Sequence, residues 1–175
     1  MVKGPRGREK GVFYGQARGG RIPDPYIPRK GWPEPTVCPI CGAVYQKKHW
    51  SIDEKLLLEI KKKGKVNSNK CPACRKIEDG FAMGVMDLTG DFVTEHVSDI
   101  VNTIRSEERR AMEKNPLERI IKLEREKGGS LHVETTTDSL ALRIARLLNR
   151  AYKGDTKFDF HYGDKSVDIK WHREK

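Results

Sequence analysis

Residues 38–41 read CPIC and residues 71–74 read CPAC, and these two short motifs decide how the first half of the chain folds. Two residues between paired cysteines allow a tight knuckle turn that directs both sulfurs at one ion, and Pro39 and Pro72 stiffen the turns. Two such turns complete a tetrahedron of sulfurs. The predicted ligands of one structural Zn²⁺ are Cys38, Cys41, Cys71 and Cys74.

Other uses of paired cysteines fit this sequence less well. A thioredoxin-like redox site needs only one pair, iron–sulfur clusters usually have different spacing, and disulfides are rare inside cells. A site of four cysteines also leaves no coordination position for an activated water, so the chain is expected not to be an enzyme. His49 follows the first pair and is interpreted as a surface residue rather than as a replacement ligand.

The 29 residues between the two pairs are predicted to include a short amphipathic helix. Residues 51–63 read SIDEKLLLEIKKK, in which Ser51 and Glu54 are placed as a capping box. Lysines crowd the far end of this helix. They either complement the helix dipole and face solvent, or they contact phosphates.

The formal net charge of +10 is confined to the front of the chain. Residues 1–36 carry eight Lys or Arg against three acids, and residues 37–80 carry ten against five. Residues 81–175 carry seventeen of each and are neutral. Even with a charge of about −2 on a zinc ion with four thiolates, the first 80 residues offer a docking surface for a polyanion.

Residues 1–36 are rich in Gly, Pro and Arg and show neither helical nor strand periodicity. We expect a disordered basic arm that orders on a partner, with aromatic residues stacking on bases; a solubilising tail is the alternative. Residues 37–80 form the zinc module. The predicted RNA contacts of both segments are Arg6, Arg8, Arg18, Arg21, Arg29, Lys30, Lys47, Lys48, Lys61, Lys62, Lys63 and Lys70.

Residues 81–175 have the pattern of a compact α/β domain. Strand and helix periodicities alternate in the order βαββαββ, which predicts a ferredoxin-like split β-α-β domain with an extra strand. Within it, residues 106–114, SEERRAMEK, suggest intrahelical ion pairs on a solvated helix face. Arg143, Arg146 and Arg150 are likewise interpreted as the solvated face of the second helix, although such a stripe also suits a phosphate backbone.

A family resemblance adds to this interpretation. PEPTVCPICGAVY, CPACRKI, GDFV, NPLERI and GGSLHVETTTDSLALRIARLLNRAYKG resemble small bacterial and archaeal proteins that carry a zinc ribbon followed by an α/β domain. These are similar to the front part of the nonsense-mediated-decay-three proteins, adapters that accompany the large ribosomal subunit. The resemblance spans residues 33–172 and carries over the four cysteines and no catalytic residue. It implies a ribosome-associated, rRNA-binding factor.

The sequence therefore predicts a cytoplasmic, RNA-binding factor that acts in ribosome maturation, subunit anti-association or ribosome hibernation. Its expected partners are a ribosomal subunit and its rRNA, with the neutral C-terminal domain contacting a ribosomal protein or a second copy of the chain. No membrane association is expected, because no apolar stretch is long enough to span a bilayer. The alternatives are a zinc-dependent DNA-binding transcriptional regulator and a scaffold for an acidic protein.

Overall fold

The computed structural model of the protein describes residues 24–161 and 163–175. Over these residues the chain is mixed α/β, as its sequence predicts, with five helices and nine strands in two mixed sheets. We call residues 24–80 the cysteine unit and residues 81–175 the α/β unit. None of the helices in the described ranges has the length and apolar character needed to cross a bilayer.

The cysteine unit contains a small four-stranded sheet and two helices. Its elements are β1 (Thr36–Val37), β2 (Val44–Gln46), β3 (His49–Ser51), α1 (Glu54–Lys62), β4 (Asn67–Ser68) and α2 (Pro72–Asp79). The strand order is β3-β2-β1-β4, with β1 and β4 parallel and the other pairs antiparallel. Helix α1 begins two residues later than a cap at Ser51 predicts. The cap is Asp53, whose carboxylate accepts a hydrogen bond from the Leu56 N–H at 3.0 Å, rather than Ser51.

Residues 24–36, which composition placed in the arm, pack against the rest of the cysteine unit. The Trp32 ring lies edge-on to the rings of Tyr45 and Trp50, with centroids 5.0 and 5.2 Å away. The Tyr26 hydroxyl donates a hydrogen bond to the Asp79 carboxylate at 2.8 Å. Packing of aromatic rings therefore buries part of residues 24–36, a segment whose composition predicted disorder.

The α/β unit has two main helices on a five-stranded sheet. Its elements are β5 (Gly84–Thr89), α3 (Asp91–Glu95), α4 (Val97–Lys114), β6 (Ile120–Arg125), β7 (Leu131–Thr135), α5 (Asp138–Tyr152), β8 (Asp155–His161) and β9 (Ser166–His172). The strand order is β6-β7-β5-β9-β8. Strand β9 pairs in parallel with β5, and β8 lies beyond it as the edge strand.

The core of the α/β unit lies between the sheet and helices α4 and α5. Apolar side chains of alternate strand residues, such as Met86, Val133 and Ile169, are completely or almost completely buried against the helices. Helix α5 approaches β5 closely at Gly84, where a Cβ atom would lie 2.4 Å from the Ala141 Cβ. Only glycine permits this separation of helix and sheet.

Charged residues of α4 are more buried than the sequence suggested. Glu107 is only 8% exposed and Glu118, just beyond the helix, only 7%. Arg143 of α5 forms ion pairs with both carboxylates. The interpretation of residues 106–114 as a solvated helix face is therefore wrong for Glu107. The interpretation of the α5 arginines as a solvated face is wrong for Arg143, whereas Arg146 and Arg150 are exposed.

The face of the sheet opposite the helices carries charged residues. On it, His132 lies between Asp87 and Glu134, with its ring nitrogens 2.7 and 2.9 Å from the two carboxylates. The hydrogen bond with Asp87 raises the pKa of His132 to about 9, although burial opposes this rise, and the hydrogen bond with Glu134 adds to it. His132 is therefore an imidazolium at neutral pH.

The stability of the α/β unit should depend on pH through His132. Because the folded-state pKa exceeds that of the unfolded chain, about 6.5, the stabilisation is complete below about pH 6.5 and is lost as pH rises through about 9. We expect His132→Gln to lower the free energy of unfolding by about 1–3 kcal/mol at about pH 6 and by much less at about pH 9.5. Urea titrations at both pH values measure the free energy of unfolding of each variant. His172→Gln, on the same face, is the control, and an equal loss at both pH values would contradict the assignment.

Candidate metal centre

The first cysteine pair lies in the turn between β1 and β2. The Cys38 N–H donates to the Ala43 carbonyl at 2.8 Å, and the Gly42 N–H donates to the Cys38 carbonyl at 3.0 Å. Gly42 has a φ of +74°, a left-handed conformation that glycine adopts without steric cost. The predicted knuckle turn is present here, and it places Cys38 and Cys41 on one side of the turn.

The second pair begins a helix instead of forming a second turn between strands. Cys71 is the N-cap of α2, and its sulfur accepts a hydrogen bond from the Cys74 N–H at 3.4 Å. Pro72, predicted to stiffen a knuckle, is the first residue of the helix, a position where its missing N–H costs nothing. The positive end of the helix dipole therefore lies beside two sulfurs, where it favours the thiolate form.

The four cysteine sulfurs form one cluster. All four Sγ atoms lie within 4.8 Å of one another, and Cys41 Sγ and Cys71 Sγ are 3.7 Å apart. A tetrahedral ion with metal–sulfur bonds of about 2.3 Å requires sulfurs about 3.8 Å apart. Three of the cysteines are buried and Cys41 is partly exposed. The four side chains therefore have the number, chemistry and spacing to hold a metal ion.

The electrostatics of the cluster favour a cation. A hydrogen bond from the Cys71 thiol lowers the pKa of Cys41 to about 4. The Cys71 thiol donates this hydrogen bond to Cys41, and the bond, together with burial, raises the pKa of Cys71. Burial raises the pKa of Cys74 to about 11. Adjacent sulfurs do not all ionise together without a positive charge among them. A metal ion would supply that charge.

Groups around the cluster orient the sulfurs and contribute further positive charge. The Cys71 N–H donates to Cys38 Sγ at 3.3 Å, so the two pairs are hydrogen-bonded to each other. Arg119, which belongs to the α/β unit, donates from Nη1 to Cys74 Sγ at 3.4 Å. Such contacts fix ligand orientation and offset negative charge in metal sites. Arg119 was missed in the sequence because it lies 45 residues beyond Cys74.

A buried lysine joins the two units next to the cluster. Lys76 of α2 is 2% exposed, and its ammonium forms an ion pair with Asp24. It also donates to the Thr136 carbonyl at 3.1 Å and contacts the Met83 sulfur at 3.0 Å. One side chain thus connects the start of the described chain, the metal-site helix and the α/β unit. No pattern in the sequence indicated this, because Lys76 lies in a charged run of residues.

The predicted basic contacts in the described part of the chain are mostly exposed at the surface. The exposed residues are Arg29, Lys30, Lys47, Lys48, Lys61, Lys62 and Lys63. Lys70 is different, because its ammonium pairs with the Glu78 carboxylate at 2.6 Å. Arg6, Arg8, Arg18 and Arg21 lie outside the described residues.

The turn between β2 and β3 presents two of these lysines in a fixed conformation. Lys47 and Lys48 both have left-handed φ angles, 52° and 61°. Their backbone N–H groups donate to the two Glu34 carboxylate oxygens, both at 2.9 Å. The adjacent His49 is exposed and is not one of the clustered groups, in agreement with its interpretation as a surface residue.

The fold and this centre define a two-unit α/β protein with a site of four cysteines at the junction. No family model matches the chain, and neither the curated proteins nor the solved structures include one that matches it.

The cysteine cluster should make the chain bind one metal ion. We expect elemental analysis of purified protein to find one ion per chain and Cys71→Ser to lose most of it, because three ligands in a closed site hold a metal less tightly than four. His49→Ala is the matched control and should keep its metal. Unchanged metal content in Cys71→Ser would contradict the site.

Lys76→Met should destabilise the junction between the units. Removing the ammonium leaves the half-buried Asp24 carboxylate and the Thr136 carbonyl without their partner, a loss of about 2–4 kcal/mol in the free energy of unfolding. Lys70→Met is the control, because its ion pair with Glu78 is exposed and should contribute less than about 1 kcal/mol. Chemical denaturation of the metal-bound protein measures both. Equal losses in the two variants would contradict this role for Lys76.

Proposed function

We propose that this chain is a zinc-binding, RNA-binding and ribosome-associated factor without catalytic activity. The observation that carries the proposal is the placement of exposed lysines on the small cysteine unit. Two groups of them, at the β2–β3 turn and at the end of α1, project from a unit organised by the cysteine cluster. Lysines grouped at two places on a folded unit suit the phosphates of a folded nucleic acid.

Zinc is the metal that best suits the centre. Four thiolates in a tetrahedral arrangement are typical of structural Zn²⁺, and the sulfur spacing fits its bond length. A bound ion would fix the β1–β2 turn to the start of α2. All four coordination positions would be occupied by Cys38, Cys41, Cys71 and Cys74, so the proposed role of zinc is structural.

The number of lysines at the end of α1 favours phosphate contact over a role in helix capping alone. Lys63 is the C-cap residue, and Lys61 and Lys62 precede it in the last turn. All three are exposed. One or two cations would be enough to offset the partial negative charge of a helix C-terminus. Three in succession, with Lys65 two residues further on, leave positive charge for a partner.

The charged face of the α/β sheet is a poor surface for RNA. Strands β5 and β7 contribute Asp87 and Glu134 to it, and β8 and β9 contribute Asp155, Asp159 and Asp168. RNA-binding sheets instead present aromatic residues on which bases stack. Lysines of β6, β8 and β9 and the His132 imidazolium lie among these acids. The face therefore offers phosphates no continuous basic surface, and RNA is expected to contact the cysteine unit.

We also infer that the α/β unit is a variant of the ferredoxin-like fold. Strands β5 and β6 flank β7, and α4 connects them, which is the arrangement of a split β-α-β unit. After α5, strand β8 takes the edge position and β9 returns between β8 and β5. In this interpretation the extra strand is inserted into the sheet, not added at its end.

The ribosome is the proposed source of the RNA, on the strength of the motif resemblance. The cysteine unit would contact rRNA in a cytoplasmic ribosomal subunit, and the neutral α/β unit would contact a ribosomal protein. Such a factor would act in subunit maturation, anti-association or hibernation. The test is sedimentation of tagged protein from cell lysate through sucrose gradients at low and moderate salt, with and without ribonuclease.

Comigration with one subunit or with paired ribosomes, lost as salt rises, would support the proposal. Protein that stays at the top of the gradient under all conditions would refute the ribosomal role. A chain lacking residues 1–23 should be compared in the same gradients. This truncation leaves residues 24–36 in place, because their packing belongs to the folded cysteine unit.

The lysines of α1 should contribute to RNA affinity. We expect Lys62→Gln with Lys63→Gln to weaken binding of structured RNA and to lower the slope of log affinity against log salt by about 1–2, because each lost phosphate contact removes roughly one released counterion. Lys114→Gln with Lys127→Gln is the matched control, since both lysines are exposed on the neutral α/β unit. Binding titrations over a range of salt concentrations measure the slope. The same slope in both double variants would contradict the assigned surface.

A further inference from the structure

A cleft of about 360 Å³ lies on the cysteine unit, and we call it the α2 cleft. Pockets that bind small molecules usually measure about 300–1,000 Å³, so this one is small and fits a single nucleobase or nucleoside. It is lined by side chains of α2, of the loop before α2 and of the segment before β1. They are one aromatic residue, one amide, two cations and two acids: Trp32, Asn69, Lys70, Arg75, Glu78 and Asp79.

Trp32 gives the α2 cleft an aromatic surface that is held in place. Its ring packs against Tyr45 and Trp50 of the small sheet, with centroids 5.0 and 5.2 Å away. The residue is nevertheless only partly buried, and it lines the cleft. Unpaired bases of RNA stack on aromatic side chains, and a ring that is already ordered loses little entropy when a base binds.

The two acids of the cleft lie in the last turn of α2, beside the negative end of the helix dipole. Carboxylates are unfavourable there, so helix stability does not explain them. Lys70 donates to both oxygens of Glu78, at 2.7 and 2.6 Å. Asp79 Oδ2 accepts from the Tyr26 hydroxyl, whereas Asp79 Oδ1 has no donor among the described residues. Asp79 is therefore the acid with capacity left to accept from a ligand.

A carboxylate in the cleft favours guanine over the other bases. Guanine presents two adjacent donors on its Watson–Crick edge, N1–H and N2–H, and one carboxylate can accept from both. Adenine and cytosine present one donor beside an acceptor nitrogen, which a carboxylate repels. The side-chain amide of Asn69 lines the same cleft and has no hydrogen-bond partner in the described ranges, so it is available to donate to guanine O6.

Arg75 provides a cation for the phosphate attached to such a base. It is exposed, and its guanidinium lies 5.3 Å from the centroid of the Tyr26 ring. Within residues 24–161 and 163–175 it forms no ion pair, although Glu78 and Asp79 follow it on the same helix. A guanidinium without a carboxylate partner suits a phosphate group.

We propose that the α2 cleft binds one unpaired guanine nucleotide of RNA. The base stacks on Trp32, Asp79 accepts from guanine N1–H and N2–H, and Arg75 contacts the phosphate. This inference rests on the proposed RNA binding and names the base that the cysteine unit recognises. The exposed lysines contact phosphates, which carry no sequence information, so the cleft is the part of the unit that distinguishes bases.

Binding of short single-stranded RNA to the full chain with its metal tests the choice of base. The heptamers UUUGUUU and UUUAUUU carry the same phosphates and differ only in the central base. The guanine heptamer should bind at least about tenfold more tightly at the same salt concentration. It should also quench tryptophan fluorescence by stacking. Trp32→Phe keeps an aromatic ring and should lose most of the quenching, and full quenching in that variant would overturn the proposal.

A single substitution then tests the role of Asp79. Asp79→Asn keeps an oxygen for the Tyr26 hydroxyl but presents a donor beside an acceptor, the pattern that suits adenine. The preference for the guanine heptamer should be lost or reversed. Asp99→Asn is the matched control with the same charge change, because Asp99 is 70% exposed on the α/β unit, and it should keep the preference. Loss of affinity for both heptamers by the same factor in Asp79→Asn would indicate a structural role and overturn the proposal.

Arg75→Gln separates the phosphate contact from the choice of base. It should lower the slope of log affinity against log salt by roughly 1 for both heptamers, because one phosphate contact is lost, and it should keep the guanine preference. An unchanged slope would overturn the assignment of Arg75 to a phosphate.

The same titrations distinguish failure of this inference from failure of the proposed RNA binding. If structured RNA binds but the two heptamers bind equally or not at all, RNA binding stands and the guanine cleft is refuted. If no RNA binds, both proposals are refuted. GMP should bind far more weakly than the guanine heptamer, because it lacks the neighbouring phosphates. Equal affinity would assign the cleft to a free nucleotide and overturn its assignment to RNA.

Discussion

The convergence of four cysteine sulfurs is the constraint on which the cysteine unit depends. Its buried cluster contains only seven residues, and three of them are cysteines. Strands of two or three residues and helices of eight or nine cannot bury enough apolar surface to offset the entropy lost on folding. A metal ion at the sulfurs would provide the missing stabilisation, since its binding free energy becomes folding free energy.

The same constraint determines how the two units meet. Cys71 caps helix α2, which begins at Pro72, so the position of the sulfurs also fixes where Lys76 lies, about one turn into the helix. Its ammonium then reaches the Thr136 carbonyl at the junction. From the other side, the Arg119 guanidinium reaches Cys74. The junction thus includes polar contacts to buried or partly buried groups. Such contacts fix the orientation of the two units more strictly than apolar contacts do.

Local patterns in the sequence predicted the cysteine cluster, helix α1 and the alternation of strands and helices in the α/β unit, because spacing and periodicity are local properties. They did not predict the position of β9 between β5 and β8, which depends on contacts between distant residues. The burial of Glu107 was missed for the same reason, since its partner Arg143 lies on another helix. Residues 24–36 were assigned to an arm because Pro-rich aromatic packing has no period to detect.

Arg119 and Lys76 also determine where the chain can be divided. A fragment that ends at Gly80 keeps all four cysteines but loses the guanidinium at Cys74 and the carbonyl that accepts from Lys76. It also exposes the apolar side of the cysteine cluster that Leu117 covers. Polar and apolar contacts therefore cross the boundary between the two units in the sequence, and recombination or excision at that point would separate parts that complete each other.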